Sequence, residues 1–274
     1  VLDGAMLLWW ILTVPSFLFV AVDVWRTTPE SPVLKWAFVI LTAFTGPLGA
    51  FFYVLGCREP LAGTHEQYVA ARWRQVLGST MHCVAGDGIG IVAGAAIAAA
   101  VSLTFWPDFA LEYVLGFGFG WVFFQAFAMR DMAGGSFLRS LRMTVLPELL
   151  SMNLLMTGMV LTSRFAMKQV EGSHDPARPE FWFIMSMALI VGFVCAYPIN
   201  WWLVANRMKH GMLTVRKQAV PAAMAGMEHA SMDDMDAAEE ADAGQPSAAV
   251  KAAMTVLTIV ILATALLIVS RFAL

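Results

Sequence analysis

Charge is what this sequence lacks most. Only 14% of its 274 residues are Asp, Glu, Lys or Arg, against about a quarter in an ordinary soluble domain. Methionine (18) outnumbers lysine and arginine together (17). Such a chain cannot cover a globular surface with charge, and at 59% apolar it cannot be a disordered protein either. A basic excess is also missing. The net charge is -3 and the basic residues are scattered, so nucleic-acid binding has no footprint. Cysteine is sparse and odd in number. Cys57, Cys83 and Cys195 lie in or beside apolar segments without a spacing pattern, which excludes a disulfide framework.

What is present is apolar length. Runs fall at 4–25, 34–56, 81–103, 108–129, 144–166, 181–206 and 250–272. None alternates with period two, and each approaches or exceeds the ~20 residues a span requires. Backbone groups in lipid must be satisfied within the segment, so the runs read as helices. The first run is too long for a signal-peptide core and lacks a basic leader, so it also reads as a span. The expected fold is an all-α integral membrane protein with about seven transmembrane helices. Lysine and arginine then divide 11 to 6 between the two faces, which predicts a cytoplasmic N-terminus. The expected location is the inner (cytoplasmic) membrane, multi-pass.

Four units follow. Residues 1–63 hold two N-terminal spans, and 64–213 form a core of one interfacial helix and four spans. Residues 214–248 make an acidic Met/His-containing linker, and 249–274 hold the last span. The interfacial helix is expected over 64–79. Thr64 and Gln67 have capping-box spacing, and Val69, Trp73 and Val76 share a face.

Ionisable residues inside spans are functional suspects by default. Two acids are singled out, Asp87 and Glu148. Cys83 and Asp87 are four apart on one helix face, with His82 beside them. Imidazole, thiolate and carboxylate are all competent metal ligands. The competing reading is a glycine-rich helix seam around Gly86, Gly88 and Gly90. On the next-but-one span, Glu148, Met152, Met156 and Met159 step along one face. Thioethers favour Cu(I), but methionine is also an ordinary core filler. Asn153, Tyr197 and Asn200 add polar tips at a similar depth. Pro198 is expected to kink its helix. The linker stretch containing Met227, His229, Met232 and Met235 spaces soft ligands three or fewer residues apart. It resembles the Met/His-rich segments of bacterial copper-handling proteins, although those face outward and this one is placed in the cytoplasm.

The segments Arg72-Trp-Arg-Gln-Val-Leu-Gly-Ser-Thr-Met-His82-Cys83-Val-Ala-Gly-Asp87, Met143-Thr-Val-Leu-Pro-Glu148-Leu-Leu-Ser-Met-Asn153 and Tyr197-Pro-Ile-Asn200-Trp-Trp-Leu carry a family resemblance. Together the chain resembles, over roughly 65–213, a family of bacterial and archaeal membrane proteins filed as a domain of unknown function. The His-Cys pair followed by Gly and a small or polar residue resembles that family's mark, and its members often have a second Cys and then a Gly-Glu pair. Here Asp87 stands near the second Cys, and Ile89-Gly90-Ile91 has no acid. The resemblance implies architecture and no activity.

The leading expectation is therefore a metal-ion permease or metal-handling protein, with copper as the candidate ion. His82, Cys83, Asp87, Met152, Met156, Met159, Met227, His229, Met232 and Met235 are its candidate ligands. The alternative is a non-transporting subunit or scaffold of a larger membrane complex, or a homo-oligomer, whose polar residues hold helices together. An enzyme ranks third, because no nucleophile motif or metalloprotease motif occurs.

Overall fold

The computed structural model describes residues 2–126, 129, 135–212 and 245–273. Helices α1 (Leu2–Thr27), α2 (Pro32–Thr45), α3 (Pro47–Gly56), α4 (His65–Val69), α5 (Arg72–Ala100), α6 (Phe105–Phe119), α7 (Phe137–Met167), α8 (Pro179–Ala205) and α9 (Ala248–Phe272) follow in order. A π-helical turn, Gly120–Ala126, extends α6. Six of these helices, α1, α5, α6 with its extension, α7, α8 and α9, are long and apolar enough to cross a membrane. No strand forms among the described residues.

The run at 34–56 does not make a seventh crossing. It breaks into α2 and α3, of 14 and 10 residues. At 1.5 Å per residue these reach about 21 and 15 Å, short of a hydrocarbon core of about 30 Å. Gly46 makes the break with a φ of 55°, in the left-handed region that favours glycine. Pro47 then starts the next helix, where its missing N–H costs nothing.

Contacts show that the chain turns back. Gly46 packs against Thr13 and Trp9, near the middle of α1. The far end of α3 returns to the C-terminal end of α1. There Tyr53 donates to Asp23 Oδ2 at 2.7 Å, and Arg58 Nε donates to the same oxygen at 2.7 Å. α2 and α3 are thus a re-entrant hairpin. A hydropathy run cannot reveal this, because the Gly-Pro turn is itself apolar. The turn's backbone is tolerated at depth because protein surrounds it.

The hairpin changes the faces of the molecule. The end of α1, the hairpin mouth, the start of α5 and the end of α8 now share one face. Tyr197 near the end of α8 donates to the Trp73 carbonyl at the start of α5, 3.1 Å away. On the opposite face Trp9 meets Phe183, and Lys168 donates to the Phe272 carbonyl. Both chain ends of the described structure therefore lie on that second face, where the sequence reading had placed them on opposite sides.

The helix expected over 64–79 is present in two pieces, α4 and the first turns of α5. Thr64 makes no capping bond. Its hydroxyl donates to the Leu61 carbonyl instead. α8 runs continuously through Pro198. α5 and α7 are the most enclosed spans, while α1 and α9 present residues such as Leu7, Ile11, Val256 and Leu267 outward. Without water to drive association, such helices rely on close backbone approach. Between α7 and α8, a Cβ on Gly158 would lie 2.7 Å from Gly192 Cα.

Candidate functional site

Four elements converge on one buried cluster near the hairpin-mouth face. α5 supplies Cys83 and Asp87, one turn apart and both fully buried. α7 supplies Glu148, also fully buried, immediately after Pro147. α8 supplies Asn200, whose amide donates to Ser151 Oγ at 2.9 Å. The fourth contributor is the segment just after α8. Arg207 takes a left-handed φ of 55°, and the amides of Met208 and Lys209 both donate to the Leu203 carbonyl. This tight turn sends the Lys209 side chain back into the bundle.

Lys209 is the centre of the cluster. Its Nζ lies 2.7 Å from Cys83 Sγ, 3.0 Å from Asn200 Oδ1 and 3.3 Å from Glu148 Oε2. A buried charge is tolerated only when it is paired and hydrogen-bonded. Burial works against the ammonium, but the adjoining Cys83 and Glu148 outweigh it and hold the lysine above its ordinary pKa. Next to it, burial holds His210 below the ordinary imidazole range.

The π turn completes the cluster. Wider than an α turn, it is a form found often at functional sites. It carries Gln125, which donates to Cys83 Sγ at 2.7 Å. It also places Gly120 where any Cβ would strike Asp87 Oδ1 and lie 2.9 Å from Glu148 Oε1. The Asp87 and Glu148 carboxyls thus face the same glycine notch. The Asp87 carboxyl is fully buried, with the Glu148 carboxyl as its polar neighbour.

The residues singled out in the sequence separate into groups. Cys83, Asp87, Glu148 and Asn200 come together. His82 is adjacent, with its ring against Phe124 and a hydrogen bond to the Phe124 backbone. Asn153 belongs to another contact. It accepts from Tyr113 at 2.7 Å and donates to Thr258 at 3.1 Å, joining α6, α7 and α9. Tyr197 pins α8 to α5 rather than entering the cluster. Met152, Met156 and Met159 are all buried. Met152 reaches Gly116 on α6, whereas Met159 packs against Gly192 on α8. Met227, His229, Met232 and Met235 lie outside the described residues.

Sequence reasoning passed over Lys209 and Glu112. Lys209 reads as one member of the basic stretch after α8, and only the Arg207 turn reveals its direction. Glu112 forms a second polar centre at the opposite face. Arg164 Nη2 lies 2.6 Å from Asp108 Oδ2 and 3.1 Å from Glu112 Oε1. Asp108 and Arg164 are therefore paired within the protein. Spacing could have found the pair, since Asp108 and Glu112 are four apart in a helix.

Each centre adjoins a cavity. One, of about 300 Å³, is lined by Asp108, Glu112, Arg164, His174, Met167 and Met185 among others. The other, of about 560 Å³, opens beside Lys209 and is lined by Arg142, Arg207, His210 and Lys251. The first cavity is thus lined by carboxylates and the second by basic side chains, and both carry methionines.

A family model described as a domain of unknown function, DUF4396, matches residues 72–209. The chain belongs to this family. The DUF4396 segment runs from the first residue of α5 to Lys209, so it contains both polar centres. The hairpin and α9 lie outside it. No curated protein and no solved structure matches the chain.

Proposed function

We propose that this protein is a permease for a small metal cation, working in a cytoplasmic membrane with the hairpin-mouth face inside. The observation that carries the reading is Lys209. Its ammonium lies among a sulfur, a carboxylate oxygen and an amide oxygen, which is a donor set for a cation. A metal ion taking that position would bind Cys83 and Glu148, with Asp87 adjoining, and Lys209 would withdraw toward the basic cavity.

Orientation follows from charge. Of the fourteen lysines and arginines among the described residues, ten lie on the hairpin-mouth face and four on the other, as the positive-inside rule requires of a cytoplasmic face. The outer cavity has the carboxylates of Asp108 and Glu112 to attract a metal cation, whereas histidine and methionine line both cavities. The basic inner cavity repels the free ion and so disfavours its return. The direction proposed is inward. Cys83, and the thioether of Met152 nearby on α7, favour a soft ion, so copper(I) is the candidate.

The test is copper(I) uptake into proteoliposomes. The wild-type protein should take up copper, and the combined Cys83→Ser, Asp87→Asn, Glu148→Gln variant should not. Unchanged flux in that variant would refute the site. The same bonds of Lys209, which tie α5, α7 and α8 together, also suit a non-transporting scaffold. A scaffold would show no flux in either protein and would co-purify with stoichiometric partners.

A further inference from the structure

A second cluster of ligand atoms lies at the mouth of the hairpin, outside the DUF4396 segment. Its members come from three places in the chain. Glu30 sits in the connector before α2. Cys57 ends α3, its amide bonded to the Tyr53 carbonyl at 2.9 Å. His65 opens α4, its amide held by Glu59 Oε1 at 3.1 Å. All three are buried, and one ligand atom from each lies within 4.8 Å of the others. His65 Nε2 is 3.7 Å from Glu30 Oε1 and 3.1 Å from the Cys57 carbonyl oxygen.

The surroundings fix these positions. Arg58, next to Cys57, grips Asp23 through Nε at 2.7 Å and Nη2 at 3.2 Å. Tyr53 joins Asp23 and Thr28. These bonds lock the return strand of the hairpin to the end of α1. Three donors distant in sequence are thereby held together on a braced frame.

We propose that Glu30, Cys57 and His65 bind a zinc-type divalent metal ion that clamps the hairpin mouth. One sulfur, one imidazole nitrogen and one carboxylate oxygen are the ligand types of protein zinc sites. Metal–ligand bonds of about 2.0–2.3 Å place tetrahedral ligand atoms roughly 3.3–3.8 Å apart. The His65–Glu30 separation already falls there, and the widest pair needs to close by only about 1 Å by the same geometry. On binding, the thiol gives up its proton to solvent, and the imidazole coordinates as a neutral ring with its proton on the other nitrogen. The Cys57 carbonyl, or a water, is available as the fourth ligand. Such an ion would be structural, holding a re-entrant segment that has no other covalent tie. It is independent of the permease reading, which concerns a different cluster on α5, α7 and α8.

Cobalt(II) is the probe. Added to the purified full-length protein, it should bind at one equivalent with a thiolate-to-metal charge-transfer band. The band should survive Cys83→Ser with Cys195→Ser, and disappear in Cys57→Ser and in the near-isosteric Glu30→Gln. Those arms also separate this site from the proposed copper site. A second measurement needs no variant. Zinc at about 100 times its Kd should slow alkylation of wild-type Cys57 roughly 100-fold, by mass action. A band that persists without Cys57, no band at saturating cobalt, or Cys57 alkylation indifferent to zinc would overturn the assignment.

Discussion

Replacing Lys209 by methionine removes the ammonium while keeping most of its apolar stem. The loss can be worked from one distance. Opposite charges 3.3 Å apart, as for Lys209 and Glu148, attract by about 5 kcal/mol at an effective dielectric of about 20. Breaking a buried pair by removing one partner costs about 3–5 kcal/mol. In a chain of this size each kcal/mol moves Tm by about 2–4 °C, so Lys209→Met should lower Tm by roughly 6–20 °C. If Lys209 occupies a cation's position, the same substitution removes a competitor. Relief of about 3–5 kcal/mol tightens cation binding by roughly two to three and a half orders of magnitude, at about 1.4 kcal/mol per tenfold. Tryptophan-monitored thermal unfolding of the detergent-solubilised protein, with and without silver(I) as a stable copper(I) mimic, reads both effects. The variant should be less stable than wild type when metal-free and should gain more from silver. Equal metal-free stability, or a silver response no larger than that of wild type, would refute the argument.

Gly120→Ala should disrupt the cluster, because the added methyl meets both carboxyls. Copper uptake should fall, whereas Gly118→Ala, which meets nothing within 4 Å, should leave it unchanged. Arg164→Met strands Asp108 and Glu112 in a buried setting and should cost about 3–5 kcal/mol in thermal unfolding. The hairpin makes a topological prediction. Cysteines placed at Asp3 and Glu171 in intact cells should both react with a membrane-impermeant maleimide, and one at Glu66 should not. Reaction at position 171 without reaction at position 3 would restore a seventh span.

Much of the architecture was legible because lipid imposes one rule on every span. Length and hydropathy located six helices, and the deep acids Asp87 and Glu148 stood out because nothing else accounts for buried carboxylates. The exception is instructive. Residues 34–56 satisfy hydropathy as well as any span, and their departure rests on the backbone of Gly46 and Pro47, which no apolar count registers. One misread crossing then moved the N-terminus to the other face and diluted the charge asymmetry. Lys209 was hidden for a related reason. A lysine four residues beyond a span is normally a solvated anchor, and only the left-handed turn at Arg207 aims this one inward. The cluster of Glu30, Cys57 and His65 could not be seen in spacing, because a fold-back brings its members together.

The two polar centres are joined by a close, glycine-lined helix contact. Gly86, Gly90 and Gly94 step by four along α5. They face Gly120, then Leu115 with Gly116, then Glu112 on α6. At Gly94 a Cβ would lie 2.8 Å from Glu112 Cα, and at Gly86 2.9 Å from Gly120 Cα. Backbones this close leave no room for side chains between them, so α5 and α6 behave as one body. Asp87 lies at one end of this seam and Glu112 at the other, at a spacing that sliding cannot easily alter. Arg164 on α7 pairs with Glu112, whereas Lys209, after α8, pairs with Glu148 of α7 and bonds Cys83 of α5, one turn from Asp87. Any rearrangement that exposes one centre and then the other must therefore move α7 and α8 against the α5–α6 pair, breaking one ion pair as it goes. Cross-linking α5 to α6 should then leave copper uptake intact, whereas cross-linking α6 to α7 near Asp108 and Arg164 should stop it. Uptake that survives the second cross-link would mean that the ion, if carried at all, does not pass by alternate opening of these two centres.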